Sequence, residues 1–144
     1  MTTHPPVVAV FNTSPDTVQM LRHLFESAGI VVVSAFTYEI RDGEVNLESF
    51  MRQHRPQAIV YDIAPPYEPN WRLFQHLRST SAMRDQQCVL TSTNARLVQQ
   101  MVGTESHIYE FIGKPYDLQK ILEATQRALA APSHRMSEEA PTER

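Results

Sequence analysis

The sequence predicts an α/β fold: a doubly wound sheet of five parallel strands with helices on both faces. Three observations carry this. Short β-branched and aromatic runs alternate along the chain with segments whose apolar residues recur at helical spacing. The runs are unbroken, without the in–out alternation of a half-exposed sheet, as expected for strands covered on both sides. There is no internal repeat and no second core-forming region, so 144 residues make one domain with a core of its own.

The elements follow in order. Val7 to Phe11 reads as the first strand. Asn12-Thr13-Ser14-Pro15-Asp16 then places polar capping side chains ahead of a proline suited to a first helical turn. Val18, Leu21, Leu24, Phe25 and Ala28 share one helical face, and Gly29 ends that helix. Ile30 to Ala35 is the second strand. The stretch from Phe36 to Val45 is ambiguous: Arg41-Asp42-Gly43-Glu44 signals a turn, and Tyr38 and Ile40 suit an extended strand or a small hairpin. Asn46 caps a short helix carrying Leu47, Phe50 and Met51, which ends before Pro56. The apolar run from Ala58 that ends on the carboxylate of Asp62 is the third strand, followed by Pro65-Pro66 and a helix over Asn70 to Arg78. Gln87 to Thr91 is the fourth strand, and Asn94 caps a helix with Leu97, Val98, Met101 and Val102. Ile108 to Ile112 is the fifth strand, and Leu118, Ile121, Leu122, Thr125 and Leu129 mark the last helix. The domain is expected to span residues 1–131. From Pro132 to Arg144 the chain turns to Pro, Ser, Glu and Thr, too polar to order itself, and a mobile tail is expected.

Composition excludes several classes. Charged residues make up 20% and the net charge is −3 with signs interspersed, which argues against a nucleic-acid or anionic-membrane binder. One cysteine, Cys88, rules out an internal disulfide framework and suits a reducing compartment. No apolar run reaches the length of a membrane span, and Met1 to Pro6 lacks the features of a signal peptide, so a cytoplasmic protein is expected. The histidines (His4, His23, His54, His76, His107, His134) show no metal-ligand spacing and read as surface residues. Cys88 reads as a small buried hydrophobe. Tyr67 and Trp71 read as packing at the start of their helix, with a partner-binding lip as the other reading.

The chemistry gathers at one sheet edge. In a doubly wound sheet the carboxyl ends of strands one, three, four and five share that edge, so the loops after them can meet. They carry Asn12 and Thr13, Asp62, Thr91, and Lys114 followed by Pro115. A carboxylate, a hydroxyl and an ammonium at three strand ends suit phosphoryl handling: the carboxylate as nucleophile, the lysine and the hydroxyl toward phosphoryl oxygens.

Those residues carry a resemblance. The stretch from Val7 to Leu129 resembles a response-regulator receiver domain of two-component signalling. The matching pieces are Asp62 with Pro66 four residues on, Thr91 ending strand four, and the Lys114-Pro115 pair after strand five. The resemblance implies a flavodoxin-like sheet of strand order 2-1-3-4-5. It implies Asp62 as the phosphoacceptor, taking a phosphoryl group from a sensor histidine kinase or phosphotransfer protein. It further implies Lys114 as the phosphate-binding lysine with a cis bond to Pro115, Thr91 as the switch hydroxyl, and Phe111 as the reorienting aromatic. Output would then be a contact with a downstream protein on the face of the Asn94-capped helix, strand five and the last helix, which is also where a homodimer would form. No direct contact with nucleic acid or membrane is implied, and no enzymatic activity.

The chain departs from the family after strand one, where two adjacent acids hold Mg²⁺ together with the phosphoacceptor. Here Asn12 and Thr13 stand there, and the Mg²⁺ set would be Asp62, Asn12, Thr13 and the carbonyl of Ala64. Mg²⁺ wants hard oxygen ligands and leans on carboxylates, so a weak or absent Mg²⁺ site is expected. Asp62 and Lys114 are then formally neutral together and suited to pair directly. The segment from Phe36 to Val45 is also longer than the family's usual link. Beside the phosphorylated receiver stands a phosphate-independent pseudo-receiver that binds partners through the same face. A flavodoxin-like cofactor protein is a further alternative, resting on the polar Asn12-Thr13-Ser14 to Thr17 stretch at a helix N-terminus. Against it, the loop has no glycine to let backbone approach a phosphate. An enzyme using Asp62 as nucleophile on phosphate esters lacks the second acid such chemistry needs.

Overall fold

The apolar runs form strands because each is buried on both sides. In the computed structural model, which describes residues 4–102, 108–113 and 117–131, β1 (Val7–Asn12), β3 (Ala58–Ile63) and β4 (Cys88–Ser92) are buried almost throughout. With β2 (Val31–Phe36) and β5 (Ile108–Gly113) they make one parallel sheet in the order β2-β1-β3-β4-β5, the expected order. Six helices accompany it among the described residues: α1 (Pro15–Ser27), α2 (Thr37–Arg41), α3 (Leu47–His54), α4 (Tyr67–Arg78), α5 (Ala95–Val102) and α6 (Leu118–Ala130).

Alternate strand residues feed two separate cores. On one face Val10, Val60 and Val89 meet Leu21 and Phe25 of α1 and Ile121 and Ala124 of α6. On the other, Phe11, Tyr61 and Leu90 meet Met51 of α3, Trp71 and Phe74 of α4 and Val98 of α5. Aromatic rings bind the second core together: Tyr61 lies 4.7 Å from Phe74 and 6.1 Å from Phe11, and Trp71 lies 5.5 Å from Phe74. Trp71 therefore packs, and Cys88 is buried as expected.

Caps and turns follow local chemistry. Ser14 caps α1 by accepting from the Thr17 N–H, Asn46 caps α3 through Ser49, and Asn94 caps α5 through Leu97. Gly29 closes α1 at φ +82°, a conformation glycine adopts without a Cβ clash.

Two elements differ from the sequence reading. Phe36 to Val45 forms neither a longer strand nor a hairpin. It contains the one-turn helix α2, whose first turn is tied down when the Phe36 N–H donates to Glu39 Oε1 at 3.0 Å and whose Ile40 is buried. The chain then turns through Gly43 at φ +80°. Second, α4 begins at Tyr67, three residues before Asn70. Pro69 does not delay it, because the first four N–H groups of a helix have no intrahelical acceptor and a proline there removes nothing. The tail from Pro132 to Arg144 lies outside the described residues. No helix of the described residues is long and apolar enough to cross a membrane.

Candidate functional site

The site is the polar continuation of an apolar row. Val10 pairs with Val60 and Val60 with Val89, all on the α1/α6 face. Two residues further along each strand the same face carries Asn12, Asp62 and Thr91. Asp62 is in register with Thr91, and Asn12 is one step beyond the Phe11–Tyr61 pairing. The row lies at the carboxyl ends of the strands, where β1 lies between β2 and β3 and the direction of winding reverses. All three side chains are buried, Asn12 at 2%, Asp62 at 7% and Thr91 at 1% exposure.

Each of these groups has a defined partner. The Thr91 hydroxyl donates to Asp62 Oδ1 at 2.5 Å. The Asn12 amide oxygen accepts from the backbone N–H of Thr13 at 2.8 Å and of Ser14 at 3.0 Å, an Asx-type turn leading into α1. Thr13 is exposed. The Ala64 carbonyl accepts from Asn70 Nδ2 at 2.8 Å. Thr91 in turn is in register with Ile112, two residues ahead of Lys114 in the chain. Lys114 and Pro115 lie outside the described residues. Phe111 is placed on β5 with its backbone opposite Leu90. Within the described residues the cis X-Pro bond is Pro65–Pro66.

Three linkages escaped the sequence reading. Ser92 donates its hydroxyl to the Ile63 carbonyl at 2.8 Å and accepts from the Asn94 N–H at 3.2 Å. It ties the β4–α5 loop to the end of β3. Asn70, read only as the start of a helix, fixes the loop that follows Asp62 through its bond to Ala64. The hydroxyls of Tyr67 and Thr93 are hydrogen-bonded to one another, joining the same two loops at the surface. The sequence signal was composition: four consecutive hydroxyl or amide residues, Thr91 to Asn94, running from the end of strand four into the next loop. Among the described residues no group of three His, Cys, Asp or Glu side chains could hold a metal ion.

The fold has counterparts among solved structures. A sensor protein from Polaromonas sp. JS666 superposes with a TM-score of 0.69 at 21% identity, covering 86% of this chain and 95% of that one. The chemotaxis response regulator CheY4 of Vibrio cholerae gives 0.66 at 19%, covering 88% and 100%. The signal receiver domain of an HD domain-containing protein from Pseudomonas fluorescens Pf-5 gives 0.68 at 17%, covering 97% and 96%. The chain has the receiver-domain fold. No protein-family model matches it, and no curated protein does. At these identities the likeness is one of fold, and the row of strand-end residues is described by this chain's own geometry.

Proposed function

We propose that this chain is a receiver-type signalling module of a phosphorelay, with Asp62 at the phosphoacceptor position, weak or absent Mg²⁺ support, and output by protein–protein contact. The observation that carries this is the buried Asp62–Thr91 pair at the carboxyl edge of a receiver-type sheet. In this reading an Asp62 carboxylate oxygen attacks the phosphorus of a phosphohistidine on a sensor kinase or phosphotransfer protein. The P–N bond breaks, its electron pair returns to the imidazole, and an acyl phosphate forms on Asp62. Thr91 would turn its hydroxyl from the carboxylate to a phosphoryl oxygen, and Lys114 would supply positive charge. Leu97 on α5 and Leu118 on α6, exposed at 38% and 36%, support a docking role for the α5–β5–α6 face.

The residues at the Mg²⁺ positions do not fit a hard dication well. Asn12 is neutral and its amide oxygen is engaged by two backbone N–H groups, the Ala64 carbonyl is held by Asn70, and Thr13 is exposed. Asp62 is left as the one carboxylate of the set, where Mg²⁺ leans on several oxygens in octahedral array. This supports slow phosphorylation and slow dephosphorylation alike. It also favours the second reading, a phosphate-independent pseudo-receiver whose Asp62–Thr91 bond is a fixed structural link.

Incubating the protein with acetyl phosphate and Mg²⁺, followed by intact-mass analysis, separates the two. The first reading expects a phosphoryl adduct that is absent in Asp62→Asn. A lack of adduct, together with no transfer from a cognate kinase, leaves the pseudo-receiver.

A further inference from the structure

A cavity lies at the opposite edge of the sheet from Asp62. It has a volume of about 550 Å³ and is formed between the end of α3 and the loop that leads from α4 into β4. Pro56 and Gln86 in its wall lie two residues before the starts of β3 and β4, so it sits at the amino ends of those strands. β3 is six residues long, about 20 Å at the usual rise of a strand. The cavity and the Asp62 row are thus separate sites.

The walls combine an apolar surface with cations. Met51 and Pro56 are buried, and Ala82 is half-buried. Arg52 and Arg55 stand over this surface, the first on the last turn of α3 and the second at its left-handed C-cap. Cations at a helix C-terminus are ordinary, since they complement its dipole. That accounts for the charges and leaves the concavity beside them unexplained. Arg55 has no ion-pair partner among the described residues. Arg52 reaches the one acid of the wall, Glu48, at 4.0 Å, and both side chains are 68% exposed, so solvent screens that pair and leaves the guanidinium available. Gln86 and Ser81 add an amide and a hydroxyl.

We infer that this cavity binds an organic phosphate monoester of about mononucleotide size. Ligand cavities run from roughly 300 to 1,000 Å³, are mostly apolar, and carry a few polar groups that orient the ligand. Two guanidinium groups match a phosphate dianion through paired N–H···O bonds. The Met51–Pro56–Ala82 wall takes the apolar body, and Gln86 and Ser81 take its polar edge. The cavity is concave and small, which fits a small molecule better than a protein surface.

The test titrates the full chain, ¹⁵N-labelled, with adenosine 5′-monophosphate, adenosine and inorganic phosphate. The monophosphate is expected to shift the amides of Ser81, Ala82 and Gln86. It should bind about tenfold or more tighter than either adenosine or phosphate alone, because both wall types contribute. The variant Arg52→Gln with Arg55→Asn should weaken it about tenfold or more. Asn tolerates the left-handed conformation at position 55, so the fold should persist, as a dispersed amide spectrum would verify. Arg72→Gln, an exposed arginine on α4 outside the cavity, should leave binding unchanged. Any of four results overturns the inference: no binding of the monophosphate, equal binding of inorganic phosphate, no effect of the arginine double variant, or shifts centred on Asn12, Asp62 and Thr91.

Discussion

The Thr91 hydroxyl donates a 2.5 Å hydrogen bond to Asp62 Oδ1 between two strands that hold the residues in register. Both side chains are more than nine-tenths buried, so the bond is shielded from water and salt. Hydrogen bonds to a charged group contribute about 1.5–3 kcal/mol, and Thr91→Val should lower the urea-unfolding free energy by that amount. Thr91→Ser keeps the donor and should recover most of it. Equal stabilities for the Val and Ser variants would mean that the bond contributes nothing.

Asn12 decides the electrostatics of the same row. Its amide oxygen closes the turn into α1, a task an aspartate would perform as well or better, since a carboxylate accepts the same two N–H groups. What aspartate would add is negative charge beside Asp62. The double variant Asn12→Asp with Thr13→Asp should therefore be destabilised without metal by like-charge repulsion. Mg²⁺ should then restore it by binding the folded form: at about 100 times its Kd, a ligand adds about 2.7 kcal/mol. A thermal scan should show the midpoint of the double variant rising by about 5–10 °C with saturating Mg²⁺, and that of the native chain barely moving. A large Mg²⁺-dependent rise in the native chain would contradict the weak-metal reading.

Much of this row was legible in the sequence because it is one-dimensional information. Buried parallel strands announce themselves as unbroken apolar runs, and an Asp or Thr at the end of such a run stands out. The register that sets Asp62 beside Thr91 follows once the strand order is known. What Asn12 does was hidden, since its type is compatible with a ligand, a cap or a turn, and only geometry shows its oxygen facing Thr13 and Ser14. The link from Phe36 to Val45 was unreadable for a related reason. Tyr38 and Ile40 fit a strand by propensity, yet a single turn of helix buries Ile40 while Tyr38 stacks on Phe36 at 5.2 Å. Tertiary contact overrode local preference there. The cavity at the far edge left no trace in the sequence, because its walls come from segments about thirty residues apart that no motif connects.

Phe74 joins the helices to the sheet on the α3–α5 face. It is fully buried and touches the rings of both Tyr61 and Trp71. Phe74→Ala should cost about 3–5 kcal/mol, combining lost burial with the void left behind. Urea unfolding checks this, and a cost below about 1 kcal/mol would mean that α4 repacks freely against β3.

Tyr61 offers a test at high pH. Its ring is 1% exposed, and its hydroxyl is buried with no hydrogen-bond partner among the described residues. Burial pushes its ionisation well above the usual tyrosine value, with Cys88 and Asp62 adding to the effect. Because the folded chain holds this proton more tightly, the unfolded chain ionises first, at about pH 10. Above that pH the native state binds more protons than the unfolded state, so stability is full below about pH 10 and falls as pH rises, by up to about 1.4 kcal/mol per unit. Tyr61→Phe keeps the contacts with Phe11 and Phe74 and removes both the unpaired hydroxyl and the titration. The variant should be more stable by about 1 kcal/mol at pH 7, with a flatter decline between about pH 10 and 11.5. Urea midpoints measured at these pH values decide it: parallel declines for the two proteins would show that Tyr61 does not govern the alkaline limit.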